Sequence, residues 1–85
     1  MRVDYARRFL KSASRLPAKM IALADDKEAI FKTDPFHTSL DTHKLHGKEK
    51  DVWAFSINRK YRIKFIFLGN GDVLFLDIGL HDIYE

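Results

Sequence analysis

The rhythm of apolar and polar positions changes once along the chain, near residue 50. Before that point Ala6, Phe9, Leu10, Ala13 and Leu16 recur at helical spacing, which predicts an amphipathic helix after a short strand at residues 2–5. Pro17 suits the first turn of a second helix, where its missing N–H is not needed. That helix is expected to bury Met20, Ile21, Leu23, Ala24, Ile30 and Phe31. It should stop near Thr33, because Pro35 disfavours a helical backbone at Asp34. Residues 34–51 are polar and read as a loop, with room for one helical turn around His43. From Asp51 to Ile78 the chain reads as strands.

Two hairpins organise those strands. The first turns at Asn58-Arg59-Lys60 and the second at Gly69-Asn70-Gly71-Asp72, compositions that favour tight reversal. Pairing Ile57 with Tyr61 and Leu68 with Val73 keeps charge out of the core. One face then collects Trp53, Phe55, Ile57, Tyr61, Ile63, Phe65, Phe67, Leu74, Leu76 and Ile78, a surface for the helices to cover. The other face splits into an apolar end (Val52, Ile66, Leu68, Val73 and Phe75) and a polar end (Ser56, Arg62, Lys64 and Asp77). Lys64 stands directly across from Asp77. If the last strand stays extended past Gly79, His81 joins the polar end beside Arg62. A slip of one residue in either hairpin would exchange the faces, since side chains alternate along a strand. The expected fold class is α+β: one domain over residues 1–85, with two N-terminal helices packed on a small antiparallel sheet of three to four strands. The apolar end, left bare by the helices, is the expected docking surface for a partner's helix or added strand.

Composition sharpens this picture in three ways. Eighty-five residues allow a single domain, and a 46% hydrophobic fraction with seven Phe, three Tyr and one Trp gives it a core. The absence of cysteine excludes disulfides, thiolate metal sites and a cysteine nucleophile, and it fits a reducing cytosol. Apolar runs are too short to cross a bilayer, and Met1-Arg2-Val3-Asp4 does not open a signal peptide, so a soluble cytoplasmic protein without a membrane partner is expected.

Charge is modest in sum, at +3, but segregated. Residues 1–20 carry six Lys/Arg against one acid, and residues 43–65 carry seven against two. Asp25, Asp26, Glu28, Asp34 and Asp41 make the stretch between them acidic. Such segregation suits a polyanion-binding surface, although solvated helices and loops also produce it.

Arg62 is the foremost chemical candidate. A strand holds it more firmly than a loop would, and its forked donors match a phosphate and the charge that develops on one. His81, just beyond the last apolar strand, can protonate a leaving 5′-oxygen, while Tyr84 can stack on a base or donate a hydrogen bond. His43 can act as general base for a ribose 2′-hydroxyl. Lys44, Lys48, Lys50, Arg59, Lys60 and Lys64 are candidate contacts to an RNA backbone. A metal reading from His37, His43 and His46 lacks a third ligand in fixed geometry, and no metal or other cofactor is expected. Arg7, Lys11 and Arg15 form a stripe on the first helix, an ordinary solvated face that sometimes contacts RNA phosphates. The sequence has no Gly-rich phosphate loop, nucleophile elbow or paired-carboxylate motif. Cleavage by the RNA's own 2′-hydroxyl requires none of these.

In their order and spacing these segments resemble the RelE/ParE toxins of bacterial type II toxin–antitoxin systems, over essentially the whole length. Phe9 through Leu16-Pro17 looks like the family's opening helix and the proline-led start of its second. Leu40-Asp41-Thr42-His43-Lys44-Leu45-His46-Gly47 is similar to its HKLxG segment. Trp53-Ala54-Phe55-Ser56-Ile57 followed by Tyr61-Arg62-Ile63 resembles its strand pair with the YR(I/L) signature. Ile78-Gly79-Leu80-His81-Asp82-Ile83-Tyr84 is similar to a GxHxxxY/F ending.

The resemblance implies a toxin held in check by a cognate antitoxin protein. Members with a C-terminal histidine, of the YafQ-like and YoeB-like kind, are endoribonucleases (mRNA interferases) that cut mRNA on the ribosome. By this likeness Arg62 matches the family's sheet arginine, His81 its C-terminal catalytic histidine, His43 the histidine of the HKLxG segment, and Tyr84 more loosely the terminal aromatic. The chain departs from RelE itself in lacking the paired strand lysines. It also has the apolar or small set Trp53 to Ile57 where acidic or histidine residues assist catalysis. Two other readings keep the fold: a ParE-like toxin that binds and poisons DNA gyrase without nuclease chemistry, and a non-catalytic binding module. A free monomer or weak homo-oligomer is expected.

Overall fold

The computed structural model describes residues 1–47 and 50–80. In chain order these form β1 (Val3–Tyr5), α1 (Arg7–Ala13), α2 (Ala18–Thr33), a 3-10 turn at Thr38–Leu40, β2 (His43–Lys44), β3 (Trp53–Ser56), β4 (Tyr61–Phe67) and β5 (Val73–Leu80). The strands make one sheet in the order β1-β5-β4-β3-β2. β1 runs parallel to β5, and the other pairs are antiparallel. The α+β class and its two N-terminal helices match the sequence expectation. The sheet is wider than three to four strands and mixed, because two short segments cover its edges. No helix among the described residues is long and apolar enough to cross a membrane.

Local chemistry sets the helix boundaries. The Pro17 carbonyl accepts from Met20 N–H at 2.9 Å and Ile21 N–H at 3.1 Å, opening α2. At the other end Asp34 turns extended (φ −153°) ahead of Pro35, and its carboxylate accepts from Phe36 N–H at 3.0 Å. This stops the helix where the Asp-Pro pair predicts. The expected helical turn around His43 is instead displaced to Thr38–Leu40, and His43 lies on β2. His37 caps that turn, its Nδ1 accepting from Ser39 N–H at 3.1 Å.

Both helices cover one sheet face, and phenylalanine dominates the layer between them. Phe31 of α2 is fully buried, stacking on Phe55 at 4.7 Å and meeting Phe65 and Phe75 edge-on at 4.9 and 5.6 Å. Such pairs add about 0.5–1.5 kcal/mol each beyond the area they bury. Phe67, expected in this layer, is 38% exposed and sits at its rim against Trp53 and Phe36. A second, smaller cluster of Leu45, Val52 and Ala54, flanked by Ile66 and Leu76, lies on the other side of the sheet.

The first hairpin keeps the expected register, with Ser56 opposite Arg62 and Phe55 opposite Ile63. In the second, the three residues nearest the turn are shifted by one. Leu68 N–H donates to Asp72 O at 2.8 Å, so Gly69-Asn70-Gly71 forms the loop, with Gly71 at φ +90°. Val73 then pairs with Phe67 and Phe75 with Phe65. A bulge beside Lys64 absorbs one residue and restores Lys64 opposite Asp77. The slip exchanges the faces of β5 near the turn. Val73 and Phe75, expected on the bare face, are fully buried in the main core, whereas Leu76 packs with the second cluster. Burying these two in place of Leu74 and Leu76 exchanges side chains worth about 1.5–3 kcal/mol each, so burial alone does not choose between the registers.

β1 is tied to α2 by a polar contact. The Tyr5 hydroxyl donates to the Glu28 carboxylate, which also pairs with Lys32 at 3.4 Å. Burial, then the hydrogen bond and negative charge of Glu28 and the charge of Asp25, push Tyr5 up to about 12. The ordinary value is about 10, so the folded state favours the protonated phenol. Its stabilisation is complete below pH ~10 and is lost as pH rises from ~10 through ~12. With Tyr5 40% exposed, solvent screening limits the effect to about 1 kcal/mol or less. Tyr5→Phe is expected to show a smaller fall in stability between about pH 9 and 12, read by urea denaturation. Equal falls in both proteins would assign the alkaline loss to other groups.

Candidate functional site

Register places the candidate residues on the sheet face opposite the phenylalanine core. Successive strand pairs align His43, Ala54, Lys64 and Asp77 in one row across β2, β3, β4 and β5. The neighbouring row is Ser56, Arg62 and Gly79. With strands about 4.8 Å apart, His43 and Lys64 stand about 10 Å apart at their backbones. Small residues separate the long ones: Ala54 lies between His43 and Lys64, and Gly79 gives Arg62 no side-chain neighbour on β5.

Arg62 is half-buried, and its Nη1 donates to Ser56 Oγ at 2.5 Å. Its Nε is buried without a hydrogen-bond partner. An unpaired buried donor costs about 1–3 kcal/mol, which offsets part of what the Ser56 hydrogen bond contributes. Ser56 fixes one arm of the guanidinium over the rigid centre of the sheet.

His43 is oriented by the backbone that precedes it. Asp41 takes a left-handed conformation (φ 49°), and its carbonyl lies 2.9 Å from His43 Nδ1. A carbonyl can only accept, so Nδ1 carries the proton and neutral His43 keeps its lone pair on Nε2. That tautomer leaves Nε2 free to accept a proton.

Asp77 is a charge on an otherwise apolar strand, and it is 6% exposed. Its Oδ1 accepts from Ser12 Oγ at 2.6 Å and Ile78 N–H at 2.9 Å, and its Oδ2 pairs with Arg8 at 3.1 Å. It therefore fastens α1 to β5. The sequence pattern places Asp77 beside Lys64 but gives no sign of its reach to Ser12 and Arg8, which depends on α1 lying along the edge that β1 vacates.

The remaining candidates divide by position. Arg59 and Lys60 are exposed at the tip of the first hairpin, next along the chain from Arg62. Lys44, opposite Trp53, alternates away from the His43 face and pairs with Asp51 at 3.6 Å. Lys50 is exposed in the β2–β3 connection. Lys48, His81 and Tyr84 lie outside the described residues. Among the described residues no three His, Asp or Glu side chains converge on a common point for a metal.

The expected apolar docking patch does not form as a bare surface. Val73 and Phe75 belong to the main core through the register shift. Val52 is buried beneath Leu45, whose N–H donates to Val52 O at 2.8 Å, and Ile66 packs into the same cluster. Leu68, at the turn, is half-buried. The chain covers this end of the sheet itself.

No family model and no curated protein matches the sequence. Solved structures do match its fold. A YoeB/ParE toxin from Agrobacterium tumefaciens superposes with a TM-score of 0.79 at 18% identity, over 95% of this chain and 99% of that one. YafQ from E. coli strain BL21(DE3) gives 0.79 at 12% identity, over 98% and 97%. RelE of the archaeal RelE–RelB complex from Pyrococcus horikoshii OT3 gives 0.74 at 18% identity, over 93% and 92%.

Proposed function

We propose that this chain, which has the fold of the RelE/ParE toxins, is the toxin of a toxin–antitoxin pair and cleaves mRNA on the ribosome. The observation that carries this reading is that a tethered histidine and a sheet arginine share one face of the sheet. His43 presents Nε2 as a base, and Arg62, two strands across and one row along, presents a fixed guanidinium. Between them a phosphodiester can be held with its ribose toward His43.

The reaction needs no external nucleophile. His43 Nε2 takes the proton of the ribose 2′-hydroxyl, and the 2′-oxygen attacks the adjacent phosphorus. Arg62 stabilises the charge that builds on the phosphate oxygens. The bond to the 5′-oxygen breaks, and that oxygen takes up a proton, leaving a 2′,3′-cyclic phosphate and a 5′-hydroxyl end. We assign the donated proton to His81 and a stacking or hydrogen-bonding role to Tyr84, both from the sequence.

A cognate antitoxin follows from the same reading. Structures with this fold are described as a RelE–RelB complex and as the toxin–antitoxin complex RelBE2 from Mycobacterium tuberculosis. The direct test is a translation reaction programmed with mRNA and supplied with the full chain. Fragments with 5′-hydroxyl ends are expected, and a 2′-deoxy nucleotide at the mapped cut site should abolish that cut alone. Growth arrest on expression without any RNA cut would overturn the nuclease reading and favour a gyrase-type target.

A further inference from the structure

Two clefts meet at Asp77. One runs between α1 and β5, with Arg7, Arg8, Lys11 and Arg15 along its wall and Ser12 and Asp77 at its base. The other is bounded by Arg8, Lys64, Leu76 and Asp77. They share Arg8 and Asp77, so they adjoin as one trough crossed by the Arg8–Asp77 ion pair. Its near end is Lys64, in the row of Ala54 and His43 and two residues along β4 from Arg62.

The charge of this trough is one-sided. Asp77 is the acid among the described residues that line it, and its oxygens are taken by Ser12, Ile78 N–H and Arg8. The other charged side chains along it are cationic. Arg8, Ser12 and Arg15 recur at helical intervals, as do Arg7 and Lys11, so the cations gather along one side of the segment. Like charges crowded in this way repel one another and attract a polyanion. Their succession along a trough matches a chain of phosphates better than one isolated anion. Asp77 supplies the rigidity by holding α1 against the strand that carries Gly79.

We propose that single-stranded RNA engaged at Arg62 continues across Lys64 into this trough, where Arg7, Lys11 and Arg15 contact successive phosphates and Arg8 stands at the junction. This rests on the RNA reading above and extends it to the path of the strand. The test uses the full chain and a 2′-O-methyl RNA of about 12 nucleotides, which cannot be cleaved and is long enough for an extended site. Its binding is followed by fluorescence anisotropy over a range of salt concentrations. Each single-strand phosphate contact contributes about 0.7 to the slope of log K against log salt. Lys11→Ala/Arg15→Ala is therefore expected to lower the slope by about 1.4 and to weaken binding about 25-fold at ~0.1 M salt. A control, Lys19→Ala/Lys27→Ala, removes equal charge from α2, outside the trough, and should leave the slope nearly unchanged. Thermal melts establish that both variants fold. Wild-type binding with the same slope in the trough variant overturns the proposed path alone, as does an equal loss in the control. Failure of the wild-type chain to bind this RNA also overturns the path, whereas the RNA reading itself stands or falls on the translation reaction described above.

Discussion

Arg62→Ala is expected to slow RNA cleavage by about 100- to 1000-fold, the usual effect of deleting one preorganised donor to a developing oxyanion. Folding stability should stay within about 1 kcal/mol, because two effects oppose each other. The variant loses the Ser56 hydrogen bond and the packing of the arginine stem, but it also removes a buried Nε that has no partner. Single-turnover cleavage and urea denaturation of the same preparation separate the two readouts. Arg62→Lys refines the assignment. It keeps the charge but not the fork, so partial activity would show that charge suffices, and activity as low as in the alanine variant would show that geometry matters. A variant that unfolds would place Arg62 in the scaffold, and one that cleaves normally would remove it from the site.

How much of this site the sequence disclosed depends on the distance over which each feature is determined. The first hairpin was legible because Asn58 sets it locally, its Oδ1 accepting from Lys60 N–H at 2.9 Å and Tyr61 N–H at 2.8 Å. That turn fixes Ser56 opposite Arg62, and with it the central pair of the site. The second turn was recognised, but its loop is one residue shorter than Gly69 to Asp72. The slip decides whether Val73 and Phe75 face the core or the open side. Alternation alone could not choose, since residues 73–76 are all apolar and either face satisfies hydrophobic burial. β1 selects the result by pairing Val3 with Val73 and Tyr5 with Phe75, contacts some seventy residues apart in sequence. β2 has only two residues, too few to show a period, so His43 was identified by chemistry and not by its strand. The same non-local logic hides the Asp77 anchor.

The second large effect is expected at His43. His43→Gln should reduce cleavage by about 100- to 10,000-fold, the range associated with loss of a positioned general base. Glutamine is close in size and retains polar atoms, but it cannot take a proton near neutrality, so the substitution separates basicity from occupancy. The loss should fall on the cleavage step and leave affinity for an uncleavable 2′-O-methyl RNA within about 2-fold, read by single-turnover cleavage and by binding. The Asp41 carbonyl makes this a specific expectation, because it holds the proton on Nδ1 and turns the basic Nε2 away from the backbone. If His43→Gln lowers affinity and rate together, His43 positions the RNA and the base lies elsewhere. If rate and affinity both match wild type, the pairing of His43 with Arg62 is incidental to the fold.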